Sequence, residues 1–144
     1  PSLFTGLSHP LFKVRPMADR KSVKRKDQST APHLALGKWG ENRAERFYRS
    51  EGFRTLGRNW RCPEGEIDLI LAKGSLVVFC EVKTRRSLRF GHPAEAVGAQ
   101  RQRRLRHAAM VWRQGPGRRW AKGNMRFDVV AIFPGHLERI EGAF

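Results

Sequence analysis

The sequence has few cysteines, no long apolar run and little negative charge. Its two cysteines, Cys62 and Cys80, stand outside any CxxC or Cys/His cluster, so neither a zinc site nor a disulfide framework is expected. No apolar stretch approaches the length of a membrane span, and the sequence shows no secretory signal peptide or lipidation motif. These absences predict a cytoplasmic protein without a membrane partner.

Acidic residues are outnumbered: 13 Asp and Glu face 29 Lys and Arg, which gives a formal net charge of +16 in 144 residues. Such an excess raises the free energy of the compact state through self-repulsion, and a polyanion relieves it. Nucleic acid is the leading candidate, because phosphates neutralised by basic side chains release condensed counterions. Without an RNP-like aromatic motif, the sequence does not separate DNA from RNA. It does not decide the oligomeric state either, although a homodimer is compatible with it.

Composition divides the chain into a basic tail and a folded body. Residues 1–30 hold seven basic and two acidic residues and show neither helical nor strand periodicity, so we predict a flexible basic N-terminal tail there. Hydrophobic residues make up 40% of the chain, which is enough for one folded domain over residues 31–144.

Periodicity within this body predicts an α/β fold with the element order αβββαβ and a mixed central sheet flanked by helices. The predicted helices cover residues 34–51 and 94–114. The predicted strands cover residues 54–62, 66–72, 76–83 and 127–133, with a short fifth run at 137–140.

Charged residues interrupt the two most apolar strands, which are predicted to form a hairpin around residues 73–75. They are Glu66 and Asp68 on the first strand, and Glu81 and Lys83 on the second. Because a buried charge without a partner is costly, their surroundings must be wet, paired or bound to a metal ion.

The register of this hairpin decides whether the charged side chains meet. Pairing Ala72 with Val77 gives the paired residue numbers a sum of 149, which sets Asp68 opposite Glu81 and the remaining acid opposite the lysine. Any odd sum keeps all four on one face, whereas an even sum sends the two acids to opposite faces. We predict the odd register.

Two interpretations of this cluster stay open from the residues alone. Carboxylates as close as those of Asp68 and Glu81 repel each other unless a cation lies between them, and Mg²⁺ accepts a few carboxylates while keeping several waters. Lys83 could then hold or deprotonate an attacking water, or stabilise charge on a phosphate. The alternative is a plain cross-strand ladder of ion pairs, worth roughly 0.2–1 kcal/mol per pair.

Several segments in combination resemble the YraN family of bacterial proteins. They are residues 65–70, 79–85 and 126–130, together with the segments at 40–45 and 91–105, in the same order along the chain. The resemblance spans residues 34–133. Members of that family are described as predicted endonucleases with the restriction-endonuclease-like fold, of the PD-(D/E)xK kind.

This resemblance implies a metal-dependent nuclease site. In the resulting hypothesis Asp68, Glu81 and the main-chain carbonyl of Val82 bind Mg²⁺ or Mn²⁺. Lys83 acts as the catalytic base, with Glu41 of the first helix as a nearby acid. The substrate implied is DNA, with branched or flapped DNA as candidates.

Basic residues around the site are predicted to contact phosphate. They are Arg85, Arg86 and Arg89 in the loop after the hairpin, and Arg101, Arg104 and Arg106 on the second helix. The ordinary alternative for the helix arginines is a solvated face.

Two further acids have less specific predictions. Glu66 is either a third ligand or only a partner for Lys83, and Asp128, an acid within a predicted strand, is expected to form a structural salt bridge. Two other functions also stay open: a non-catalytic nucleic-acid-binding protein accessory to a partner enzyme, and an RNA-binding or ribosome-associated protein. The intact set of Asp68, Glu81 and Lys83 favours the enzyme over the accessory protein.

Overall fold

A computed structural model describes residues 31–87 and 97–144 of the chain. The predicted tail at 1–30, Arg89 and the first residues of the predicted second helix lie outside the described residues. The two described ranges contain, in chain order, α1 (Ala31–Ser50), β1 (Arg54–Cys62), β2 (Gly65–Lys73), β3 (Leu76–Thr84), α2 (Ala99–Gln114), a single 3₁₀ turn (Arg118–Trp120), β4 (Asn124–Phe133) and β5 (His136–Ile140). Neither of these helices is long and apolar enough to cross a membrane.

The five strands form one mixed sheet in the order β1-β2-β3-β4-β5. β3 and β4 are parallel, and the chain passes between them through α2, because parallel neighbours need a crossover connection. The other neighbouring pairs are antiparallel. The predicted α/β class and mixed sheet are confirmed.

Alternate residues of β3 divide the core between the two helices. Val77 and Phe79 pack on the side of α2, whereas Val78 and Cys80 pack on the side of α1. Buried residues of the helices complete the two halves: Leu105, Ala108, Ala109 and Trp112 from α2, and Ala44 and Tyr48 from α1. The helices therefore cover opposite faces of the sheet, as predicted.

The hairpin between β2 and β3 has the predicted odd register. Ala72 pairs with Val77, and the pairing continues to Leu69 opposite Cys80. Gly74 in the connecting turn has φ +57°, a left-handed conformation that glycine adopts without strain. In the described residues the β2–β3 ladder ends at Leu69 and Cys80, so the strands separate where the charged residues begin.

α1 approaches the end of β3 closely. A Cβ atom added at Gly40 would overlap the side chain of Thr84, so only glycine lets the helix lie this near the strand. Ala44 and Tyr48 extend the same buried stripe along the helix. This approach brings Glu41, the residue after the glycine, to the end of the hairpin that carries Lys83.

The second helix begins later than predicted. Ala99 is its first residue, and Val97 and Gly98, both inside the predicted helix, are not helical. Gly98 has extended dihedral angles, φ −69° and ψ 168°. Val97 lies in this extended segment and is buried in the same cluster as the apolar residues of α2. For this reason the sequence pattern assigned it to the buried side of the helix.

Candidate active site

The predicted catalytic residues line one cavity at the open end of the β2–β3 hairpin. Its volume is about 320 Å³, and its walls include Asp68 from β2, Glu81 and Lys83 from β3, and Glu41 from α1. Val82, the predicted main-chain ligand, also lines it. Elements that are distant in sequence thus bring three carboxylates and one amine to a single opening.

Asp68 is partly buried where β2 and β3 separate. Its Oδ2 accepts a hydrogen bond from the main-chain N–H of Val82 at 2.8 Å. Burial raises the pKa of Asp68 to about 7, and the negative charge of Glu81 adds to this effect, whereas the Val82 amide opposes it. Near neutral pH the carboxyl therefore lies close to its midpoint between the neutral and ionised forms.

Glu81 is a buried carboxylate, only 4% exposed, that is held between two cations. Its Oε1 lies 3.3 Å from Lys83 Nζ, and its Oε2 lies 2.9 Å from Arg101 Nη2. Arg101 also donates to the main-chain carbonyl of Glu66 at 3.3 Å, so one side chain of α2 contacts both β2 and β3. Partners of this kind are what a buried carboxylate requires. Arg101 therefore belongs to the site itself.

Glu41 is held at the cavity by β1. Its Oε2 accepts a hydrogen bond from Asn59 Nδ2 at 2.9 Å and lies 3.7 Å from Arg58 Nη2. Asn59 has φ +48°, and it follows a register shift in β1 between Thr55 and Gly57. The sequence did not predict that Asn59 contacts Glu41. Two signals point to an irregular strand here: asparagine tolerates the left-handed region better than most residues, and Gly57 interrupts the strand pattern.

Glu66 does not line the cavity that the other three hairpin charges share. Its Oε1 lies 3.4 Å from Arg61 Nε on β1, whereas Lys83 pairs with Glu81. The predicted opposition of Glu66 and Lys83 is therefore wrong. The ladder between β2 and β3 ends at Leu69 and Cys80, so the register does not extend to this pair, nor to the predicted opposition of Asp68 and Glu81. The latter two meet at the cavity instead of in the ladder.

The donor set suits a small, hard cation. Asp68, Glu81 and the Val82 carbonyl offer oxygen ligands, and Mg²⁺ in proteins is typically bound through one or two carboxylates while it keeps several waters. Within residues 31–87 and 97–144, no group of three or more His, Cys, Asp and Glu side chains is arranged as a metal site. A cation here would therefore depend on two carboxylates. It would offset the burial of Asp68 and the negative charge of Glu81, which together raise the pKa of Asp68.

The loop arginines that the structure describes lie beside the cavity. Arg85 lines it directly, and Arg86 is exposed next to it. Arg89, the third predicted loop contact, lies outside the described residues.

The predicted helix arginines contact different groups, although Arg101 and Arg104 line one cavity together with Glu66. Arg101 is engaged with Glu81, and Arg104 Nε lies 3.5 Å from the main-chain oxygen of Glu64. Arg106 lies over the ring of Phe144, 5.4 Å from its centroid. Of the three, Arg101 is the one whose side chain reaches a candidate catalytic residue.

Asp128 forms a second buried acidic site, on β4. The residue is fully buried, and it accepts hydrogen bonds from the Tyr48 hydroxyl at 2.7 Å, from Arg126 at 2.7 and 2.8 Å, and from the Gly142 amide at 3.1 Å. The predicted structural salt bridge is confirmed.

Known proteins similar to this chain match the part that contains the cavity. The family model described as "Uncharacterised protein family UPF0102" matches residues 40–132. A UPF0102 protein of Rhodococcus jostii is 48% identical over 119 residues, which cover 79% of this chain and 99% of the relative. One from Renibacterium salmoninarum is 48% identical over 99 residues, covering 69% and 82%. One from Caldicellulosiruptor saccharolyticus is 46% identical over 99 residues, covering 68% and 81%. The matched range includes Glu41, Asp68, Glu81 and Lys83.

Proposed function

Since the chain belongs to the uncharacterised family UPF0102, which is the YraN-type family, we propose a function on the geometry of its site: metal-dependent hydrolysis of phosphodiester bonds in DNA. The observation that carries this proposal is the shared cavity of Asp68, Glu81 and Lys83. A net charge of +16 on the chain supports a polyanionic substrate.

The fold also supports the proposal that the protein is an endonuclease. A mixed sheet with one helix on each face, and an acid-bearing hairpin at its centre, fits the restriction-endonuclease-like architecture that the sequence resembles. Fold alone does not determine activity, so the assignment to an endonuclease depends on the cavity.

Asp68, Glu81 and the Val82 carbonyl would hold Mg²⁺ or Mn²⁺, which supplies an activated water and neutralises charge on the phosphate when bound. Burial of Glu81 and its contact with Arg101 fix the position of one carboxylate. The Val82 amide orients the other by its hydrogen bond to Asp68. Both carboxylates are thus set in place before substrate arrives, which lowers the cost of reorganisation.

Lys83 is the residue that would handle the proton of the attacking water. Its amine lies on the cavity wall beside Glu81, where the neutral form can accept a proton and the charged form can donate to a phosphate oxygen. Glu41, held by Asn59, can accept a hydrogen bond from the same water and so orient it.

A second candidate function is binding of nucleic acid without cleavage, as an accessory to a partner enzyme. The observation in its favour is that both carboxylate oxygens of Glu81 already have a cationic partner, Lys83 or Arg101. Such a network could serve stability alone.

A cleavage panel separates the two candidates. The substrates are linear duplex, single-stranded, flapped and four-way DNA with matched RNA strands, each incubated with Mg²⁺, Mn²⁺ or a chelator. We expect metal-dependent cleavage by the wild type, and a loss of about 100-fold or more in Lys83→Ala with substrate binding retained. Lys73→Ala, at the opposite end of the same hairpin, is the matched control and should cleave normally.

Two outcomes would contradict the enzyme. Binding without metal-dependent cleavage on any substrate favours the accessory function. Cleavage that survives in Lys83→Ala places the activity at another site or in a contaminant.

A further inference from the structure

A second, apolar depression adjoins the catalytic cavity. It has a volume of about 310 Å³ and is lined by Leu36, Trp39, Arg85, Arg86, Pro134 and Gly135. We call it the Trp39 shelf. Leu36 and Arg85 line both the shelf and the catalytic cavity, so the two are neighbours.

Trp39 is the aromatic side chain of this shelf. It is 43% exposed on α1, immediately before the glycine that lets the helix approach β3. A single exposed apolar side chain is common on protein surfaces and needs no explanation. What distinguishes Trp39 is its position beside the candidate catalytic residues and the positive charge around it.

Positive charge surrounds the indole ring. The guanidinium of Arg43 lies over it, 5.7 Å from its centroid, and Arg85 and Arg86 line the same depression. An occupant that matches this surface must present a flat or apolar face and a negative charge within a short distance.

A nucleotide in an unpaired strand has both features, since its base is flat and its phosphate is anionic. Stacking of bases on exposed aromatic side chains beside a basic groove is the general means by which proteins bind single strands. In a duplex the faces of the bases are covered by their neighbours, so a base must leave the stack before it can lie on an indole ring.

We propose that the Trp39 shelf binds an unpaired nucleobase next to the phosphate in the catalytic cavity, so that the preferred substrate is single-stranded at the position of cleavage. The inference rests on the proposed function, because it assumes that nucleic acid reaches the cavity of Asp68 and Glu81. It assigns the class of substrate, which the catalytic residues alone do not specify.

Binding measured in a chelator tests the shelf without any contribution from cleavage. The probes are a labelled single-stranded oligothymidine and a duplex of the same length, followed by fluorescence anisotropy. We expect Trp39→Ala to weaken single-strand binding about 5-fold or more, the value of one base stacked on an aromatic ring, and to change duplex binding less than about twofold. Trp39→Phe should retain most of the affinity, because it keeps an aromatic face.

Two control variants separate stacking from charge and from general surface effects. Met110→Ala removes a side chain of similar exposure, 42%, on α2 and should bind both probes as the wild type does. Arg86→Ala should reduce the slope of affinity against salt concentration, because it removes a charge near phosphate, whereas Trp39→Ala should leave that slope unchanged.

The proposal is overturned if Trp39→Ala binds the single strand as tightly as the wild type, or if it weakens both probes equally. It is also overturned if sedimentation shows a wild-type dimer that Trp39→Ala converts to monomers, since the shelf would then be an interface between copies. The cleavage panel keeps the two proposals distinct. Single-strand binding that depends on Trp39, without any cleavage, refutes the nuclease and supports the shelf. Cleavage by the wild type, with no effect of Trp39→Ala on single-strand binding, supports the nuclease and refutes the shelf.

Discussion

Asp128 and Asp68 lie in the same sheet but in opposite surroundings. Asp128 on β4 is enclosed by donors: a guanidinium, a hydroxyl and an amide fill both of its oxygens. Asp68 on β2 accepts a hydrogen bond from one amide among the described residues, and the negative charges of Glu81 and Glu41 act on it. The fold supplies all four donors of the first acid, whereas the second has no ion pair within residues 31–87 and 97–144, and a cation could take that place.

The neighbours of the two acids show the same contrast. Burial, together with the negative charge of Asp128, raises the pKa of Tyr48, which keeps its hydroxyl a neutral donor to Asp128. Next to Asp68, by contrast, the cations Arg101 and Lys83 contact Glu81, not Asp68. Asp128 is thus enclosed by its partners, whereas Asp68 is open to a cavity. Variants at each acid should therefore behave differently.

The largest effect on stability is expected at Asp128. Asp128→Asn turns an amide group toward donors and leaves Arg126 without its buried partner, so we expect a loss of about 3–5 kcal/mol in the free energy of unfolding. Urea denaturation measures this loss. Tyr48→Phe is the matched control, since it removes one hydrogen bond of the set and should cost about 1 kcal/mol. Equal losses in the two variants would show that the carboxylate is not the centre of the network.

Asp68→Asn, in contrast, should increase the free energy of unfolding above neutral pH. An acid whose pKa is raised by folding binds its proton more tightly in the native state, so wild-type stability falls as the pH rises from about 4 to about 7. Asparagine does not ionise, and we expect the variant to be more stable than the wild type at pH 8, on the order of 1–4 kcal/mol, with the difference closing toward pH 4.

The measurement is urea denaturation in a chelator across this pH range. Added Mg²⁺ should then stabilise the wild type more than Asp68→Asn, because a cation that binds the native site shifts the folding equilibrium. A variant that is less stable than the wild type at pH 8 would show that ionised Asp68 is well compensated, contrary to the contrast with Asp128.

A smaller loss is expected when Glu81 keeps one of its two cations. Arg101→Ala leaves Lys83 as the partner of a buried carboxylate, and we expect a cost of about 1–3 kcal/mol in the free energy of unfolding. Arg104→Ala, three residues further along α2, is the control and should cost about 0.5 kcal/mol or less. Thermal and urea unfolding of both variants would show the difference. Equal costs would mean that Arg101 is an ordinary surface arginine.

The smallest effect is expected at Glu66, which lies outside the cavity set. Glu66→Gln removes an ion pair with the exposed Arg61 and should change stability by about 0.5 kcal/mol or less. Cleavage should be unchanged. Loss of cleavage in this variant would show that Glu66 takes part in catalysis.

Local patterns account for the parts of the molecule that the sequence predicted well. The apolar runs of β2 and β3 with a glycine turn between them determine both strands and their odd register. The small residues of α1 anticipate its close packing on the sheet at Gly40. Asp128 was predicted to be structural because it is an acid flanked by apolar residues within a strand, and the structure supplies Arg126 as its partner.

Contacts between distant elements account for what the sequence did not predict. Arg101 contacts Glu81 because α2 crosses the sheet above it, and no spacing in the sequence encodes that meeting. The hydrogen bond from Asn59 to Glu41 depends on the shift in the register of β1. The wrong partner for Glu66 came from extending a register past the point where two strands separate.

Cleavage by Asp68→Asn is the most direct test of the candidate active site. The rate should be measured with Mg²⁺ at pH 8, on whichever substrate of the panel the wild type cleaves fastest, where the variant is expected to be at least as stable as the wild type. We expect the rate to fall by about 100-fold or more, because a charged ligand is lost while the fold is retained. Cleavage at the wild-type rate by a folded Asp68→Asn protein would contradict the assignment of this cavity as the nuclease site.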